Sequence, residues 1–189
     1  MKRYMLAAVM MVIPAVCFGE EQQYGFKDIP FGTPQKKVVS SLKNEFGKKF
    51  SVKKGDVSVR DFELGNMKAA VHFLFDHKKR FYKFDFRISA NTIGDLVSRT
   101  SDFIYIFKKK YGETESCTAD VNVNNVCNPP INVPCTWDHK DLFVEIQNQC
   151  GESGFITTGR VSLRKLAEEE AEYIKGKHKR KLDDAVKKF

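Results

Sequence analysis

The sequence predicts an α+β fold: a mainly antiparallel sheet with two helices packed on one face, plus a C-terminal helical tail. Three observations carry this expectation. Apolar and polar residues alternate from Phe81 to Ile88 and again from Leu142 to Gln149, the period of a strand with one wet face. The period becomes helical at Val38, Leu42 and Phe46, and later at Leu96, Phe103, Phe107 and Tyr111. After Leu163 the composition shifts to Lys, Glu and Ala through Phe189. With 189 residues, 42% hydrophobic and 12% aromatic, the chain is too apolar for disorder and suits one domain with an appendage.

The elements follow in order. Phe26 to Phe31 reads as a short strand. Thr33 then offers a hydroxyl to the free amides of a helix start, and Pro34 suits the first helical position because it has no N–H to lose. Gly47 ends that helix. Val52, Val57, Val59 and Phe62 predict one or two short strands around the Lys54-Gly55-Asp56 turn. Ala69 to Phe75 is β-rich, and Asp76-His77-Lys78-Lys79 turns it into the alternating strand. There Tyr82, Phe84, Phe86 and Ile88 are expected on one face and Lys83, Asp85 and Arg87 on the other. A second helix runs from Thr92 to Tyr111 and closes at Gly112. A hairpin turns near His139-Lys140, and a last strand, Gly154 to Leu163, follows the Cys150-Gly151-Glu152-Ser153 turn. The tail helix is expected to be interrupted near Gly176. Both core helices end in an aromatic followed by Gly, at Phe46-Gly47 and Tyr111-Gly112, as two helices of one type on one sheet would.

Residues 1–19 read as a secretory signal peptide. Lys2 and Arg3 precede an apolar run from Tyr4 to Phe18, and Gly19 leads into Glu20-Glu21-Gln22-Gln23. The run is shorter than the roughly 20 residues that span a bilayer, and Pro14 interrupts it. Cys17 raises lipid modification, but Val16 before it is branched where such sites carry a small residue. Cleavage after Gly19 leaves a periplasmic or secreted protein with no transmembrane helix. Its organisation is one domain over 20–163, with an insert at about 113–135, and a charged tail over 164–189.

Export governs the reading of Cys117, Cys127, Cys135 and Cys150 as two structural disulfides. The spacings contain no C-x-x-C pair, and His139 has no ligand-like partner at helical spacing, so zinc and redox chemistry are unsupported. A hairpin turning at His139-Lys140 brings position 150 opposite about 129. That register favours Cys127–Cys150 with Cys117–Cys135; the nested pairing of Cys117 with Cys127 and Cys135 with Cys150 stays open. Either way, the Asn- and Pro-rich stretch from Val121 to Pro134 buries little apolar surface and needs the cross-links to hold it.

The opening Asp28-Ile29-Pro30-Phe31-Gly32-Thr33-Pro34, with Val38 and Leu42 on the helix that follows, resembles the start of small bacterial envelope modules. It is similar to the SmpA/OmlA-like outer-membrane assembly lipoproteins, and in layout to the β-lactamase-inhibitor-like modules. The resemblance implies an envelope location and an α+β fold and transfers no functional residue. The cysteine-bearing insert, the long tail and the poor lipidation site depart from that pattern.

Chemistry is sparse. The sequence has no G-x-S-x-G, H-E-x-x-H, G-x-x-x-x-G-K-[ST] or G-x-G-x-x-G, and no D-x-[DN]-x-[DN]-G calcium loop. Of His72, His77, His139 and His178, only His72 lies on a predicted strand where it could face a partner group. Asp138 and Asp141 flank a turn, where acids ordinarily solvate or cap it. No catalytic residue, metal ligand or cofactor is expected.

Two features point to binding. The formal net charge is +8, and Lys175, Lys177, Lys179, Arg180 and Lys181 crowd into the tail, a cluster suited to an anionic surface. Export argues against nucleic acid as its partner. Phe73, Phe75, Phe81, Tyr82, Phe84 and Phe86 exceed what one hairpin face can hold, which offers Phe73, Phe75 and Phe81 as a partner surface. The expected function is therefore a non-enzymatic envelope module that binds another envelope protein or an anionic envelope surface. The alternatives are a hydrolase whose site the linear sequence does not display, and a protein inhibitor.

Overall fold

Seven antiparallel strands form the sheet on which the rest of the chain is built. The computed structural model describes residues 24–187 except 54, 115, 118, 119, 128–130 and 153, and of residue 131 only the backbone. The expected signal peptide, Cys17 and the two C-terminal residues lie outside the described residues. A two-stranded hairpin, β1 (Gly25–Phe26) and β2 (Ile29–Pro30), leads into α1 (Gln35–Phe46). A meander follows: β3 (Phe50–Lys53), β4 (Asp56–Leu64), β5 (Met67–Phe75) and β6 (Phe81–Ala90). Then come α2 (Ile93–Tyr111) and a second meander, β7 (Ile131–Asp138), β8 (Leu142–Gly151) and β9 (Gly154–Leu163), and finally α3 (Arg164–Val186). The sheet order is β3-β4-β5-β6-β9-β8-β7, so the last strands of the two meanders pair at its centre. The α+β class and the helical tail agree with the periodicities.

Local chemistry explains most boundaries. Gly47 takes a positive φ of 51° after α1, and Thr92 caps α2 by accepting a hydrogen bond from the Asp95 N–H at 3.1 Å. The cap expected at Thr33 does not form. Its carbonyl accepts the Phe81 N–H at 2.9 Å, and the neighbouring Gly32 N–H donates to the Phe81 carbonyl at 2.7 Å. This pairing holds the segment extended, and α1 begins with Pro34 as its uncapped flanking residue. The insert is shorter than expected, since β7 already begins at Ile131.

One sheet face is the core. Phe73, Phe84, Phe86, Ile88, Val144, Ile146 and Val161 point inward beneath the β1–β2 hairpin and the two helices, joined by Val38, Leu42, Phe103 and Phe107. Phe26 sits among the rings, 4.9 Å from Phe73 and 5.4 Å from Phe84, both edge-on. Gly159 lets α2 approach the sheet: a Cβ there would fall 2.6 Å from the rings of both Phe103 and Phe107. Trp137, 1% exposed, donates its indole N–H to the Gly112 carbonyl at 2.7 Å and so pins the end of α2 to β7. Between α2, β8 and β9 lies a buried polar trio, with Thr100 Oγ1 3.0 Å from Asn148 Oδ1 and 3.3 Å from Thr157 Oγ1.

A bulge corrects the expected faces of β6. Leu74 pairs with Lys83, but Phe75 pairs with Phe81, leaving Tyr82 as the extra residue. Phe81 thereby joins the core at 0% exposure, while Tyr82 leaves the expected aromatic face and stands half-buried.

Candidate functional site

The sheet face away from α1 and α2 is polar, and its residues meet in rows. Directly paired positions run from Ser58 on β4 through His72, Asp85, Arg160 and Glu145 to Thr136 on β7. Arg160 donates Nε–H to Asp85 Oδ1 at 3.1 Å and Nη1–H to Glu145 Oε1, while Arg87 donates to Asp85 Oδ2 at 3.1 Å. Asp85 is 1% exposed, so the two guanidiniums supply what lost water would have given. Burial works against the charged form of Arg160, but Asp85 and Glu145 outweigh it and hold its pKa above the ordinary arginine value. Burial also lowers the pKa of Lys83 and raises that of Tyr82 on this face.

Ser58, His72 and Asp85 are consecutive in that row, which brings together the residue types of a hydrolytic triad. Their bonding is different. Both Asp85 oxygens serve arginines, His72 Nδ1 lies 3.4 Å from Asp56 Oδ1, and among the described residues no side-chain hydrogen bond joins Ser58 to His72. The row is a cross-strand ion ladder rather than an activated nucleophile.

The second feature is the seat of α3. Asp76, 2% exposed, accepts the N–H groups of Lys78 and Arg80 at 3.0 and 2.8 Å and Nε–H of Arg80 at 2.7 Å. Burial would raise its pKa, yet these bonds and the Arg80 charge hold the carboxyl below its ordinary value. Arg80 continues to Glu169 on α3 at 2.6 Å, and its pKa is raised by Glu169 first and Asp76 second. Glu170 Oε2 accepts the His77 backbone N–H at 2.7 Å and lies 2.8 Å from His77 Nδ1. The His77 ring stacks on Tyr173 at 4.1 Å, and Leu166 is buried beneath the helix. The first half of α3 is therefore bound to the β5–β6 turn.

Beyond Tyr173 the helix projects. It runs unbroken through Gly176, where an interruption was expected, because one glycine costs a helix only about 1 kcal/mol. Lys175, Lys177, Lys179, Arg180 and Lys181 are exposed on this half, and among the described residues none forms an ion pair. Ile174, Leu182 and Val186 are exposed at 56%, 53% and 72%. Ile174, His178, Leu182 and Ala185 follow steps of four, four and three, which places them along one side.

The other expected surface does not exist. Phe73 and Phe81 are buried at 2% and 0%, and Phe75 is half-buried against the same core, because the β1–β2 hairpin and α1 supply a second aromatic layer over this face. Cys117 bonds to Cys135 and Cys127 to Cys150, the latter tying the insert to β8. Sequence reading missed Asp76, Arg80, Glu169 and Glu170 as a group, because their partners lie some ninety positions apart. Among the described residues no cluster of His, Cys, Asp or Glu is arranged to hold a metal ion. No described helix is long and apolar enough to cross a membrane. No protein-family model, curated protein or solved structure matches the chain.

Proposed function

We propose that this protein is an exported, non-enzymatic binding module that holds an anionic lipid surface of the envelope through the projecting half of α3. The observation that carries the reading is the contrast within one continuous helix. Its first half is bonded to the domain, while its second half exposes five cations that form no ion pair among the described residues, beside Ile174, Leu182 and Val186. Cations ring this half of the helix, with Ile174 and Leu182 exposed on one side, so it can lie on an anionic surface with its lysines at the phosphates and bury those few apolar groups in the headgroup boundary. Two disulfides support an oxidising compartment, in agreement with the leader-like first 19 residues.

The test is co-sedimentation with phosphatidylglycerol-containing vesicles against neutral phosphatidylcholine vesicles at low and high salt. Each cation near an anionic membrane contributes about 1 kcal/mol, so Lys175→Gln/Lys179→Gln/Lys181→Gln lowers partitioning by about a hundredfold. Equal binding to both vesicle types, or binding that ignores salt and the triple substitution, defeats the proposal. Retention of an acidic envelope protein without vesicle binding would assign the helix to a protein partner instead.

A further inference from the structure

A cleft on the domain itself, remote in sequence from the tail, gathers cations from four elements. The β4–β5 ladder shifts between Val59 and Phe62, so Arg60 and Asp61 together oppose the single residue Ala70. Asp61 adopts a left-handed φ of 51° to make this bulge, a conformation that a non-glycine residue enters seldom. The bulge borders a shallow, open depression of about 560 Å³. Arg60 of β4, Lys68 of β5, Arg87 of β6 and Arg99 of α2 line it together with Asp61 and Asn66.

The local charge is only partly compensated. Arg87 bonds to Asp85 through Nη2, and Arg99 Nε lies 3.0 Å from Asp95. Arg60 and Lys68 form no ion pair among the described residues. Assembling like charges on one concave surface costs free energy that an oxyanion would remove, and arginine forks match oxyanions with two parallel N–H donors. We infer that this cleft binds a small ligand carrying two or more oxyanionic groups. Arg60 and Lys68 would supply the uncommitted charge, and Arg87 and Arg99 the N–H groups that their own carboxylates leave free.

The experiment is a backbone-amide NMR titration of the disulfide-bonded protein with pyrophosphate, malonate and sulfate, each against sodium chloride at matched ionic strength. Saturable shifts at Asp61, Ala70 and Ser89 are expected with pyrophosphate or malonate, and sulfate, which carries a single oxyanionic group, should bind more weakly than the better of the two; sulfate binding as tight as both would overturn the two-group assignment. The ranking of pyrophosphate and malonate then tells a phosphoryl ligand from a dicarboxylate. Arg60→Gln/Lys68→Gln should weaken binding at least tenfold, whereas Lys175→Gln/Lys179→Gln should leave it unchanged. Because the amide map of the unsubstituted protein locates the site, the result does not depend on the variants folding. Shifts confined to 174–187, no saturable shift with any probe, or full affinity in the Arg60→Gln/Lys68→Gln protein would each overturn the inference.

Discussion

The two faces of the central sheet are made by neighbouring residues of the same strands, yet they do different work. On β9, Gly159 faces α2 and is shaped by the rings of Phe103 and Phe107; the next residue, Arg160, faces outward and joins Asp85 to Glu145. On β6, Phe84 and Phe86 lie in the aromatic core while Asp85 between them anchors the ion ladder. The inner face stabilises through area removed from water and close packing, which tolerate no change of shape. The outer face is held by directional bonds between charges that could be exchanged for others. Recognition is therefore free to develop on the outer side and at the sheet ends, where the bulge cleft and the seat of α3 both lie.

The largest expected effects come from the inner face. Phe84→Ala removes a fully buried ring that Phe26, Phe31, Phe81 and Phe86 surround, and it should cost about 4 kcal/mol in urea unfolding. A loss under about 1 kcal/mol would mean that the core is not close-packed there. Gly159→Ala tests the same face by addition. Its methyl would meet two rings at 2.6 Å, so a loss of about 3 kcal/mol is expected from a single carbon, with α2 displaced outward. If the variant is as stable as the parent, α2 does not rest on the sheet at this point.

These two faces were unequally legible. Alternation in Phe81–Ile88 and Leu142–Gln149 specified strands with one wet side, and the spacing of Leu96, Phe103 and Phe107 specified the helix over them. The β6 bulge was not legible, because period-two arithmetic places Tyr82 with Phe84 until the partner strand is known, and only the pairing of Phe75 with Phe81 moves it. The surplus of phenylalanines was visible, but its second layer, Phe26, Phe31 and Phe46 from the hairpin and α1, is a tertiary fact. The tail cations were legible as a local cluster. The cleft was not, since Arg60, Lys68, Arg87 and Arg99 converge only when four elements pack together.

The outer face should respond less, and in a way that packing cannot imitate. Asp85→Ala leaves Arg160 with Glu145 alone and Arg87 without a partner, and should cost about 2 kcal/mol, below the usual loss for a fully buried pair because both arginines reach solvent. Combining it with Arg87→Leu, which removes the guanidinium left without a partner, sharpens the contrast. If the ladder is replaceable, the double variant should be more stable than Asp85→Ala alone, because the stranded guanidinium has gone. Additive losses would show instead that the outer face is as specific in shape as the inner one.

The smallest effect concerns Asp76, which joins the core sheet to α3, and its signature is dependence on pH. The Asp76 carboxyl is lowered in the folded protein, so it binds protons less readily there than in the unfolded chain. A depressed acid contributes stability that is complete above the unfolded value of about 3.9, and it is lost as the pH falls through that value toward the folded one. Asp76→Asn keeps a side-chain oxygen for the Lys78 and Arg80 amides but weakens the charge-assisted link to Arg80. It should therefore cost about 1 kcal/mol at pH 7, and the difference should shrink steadily as the pH falls below the unfolded value, so the stability curves of parent and variant converge on acidification. Arg80 also holds Glu169, so hydrogen exchange across 166–173 should quicken by about fivefold at pH 7 while the amides of β8 and β9 stay protected. A uniform rise in exchange over the whole chain would place Asp76 in the global fold. A rise confined to α3 would make the turn a local latch, through which the domain sets the angle of its projecting helix.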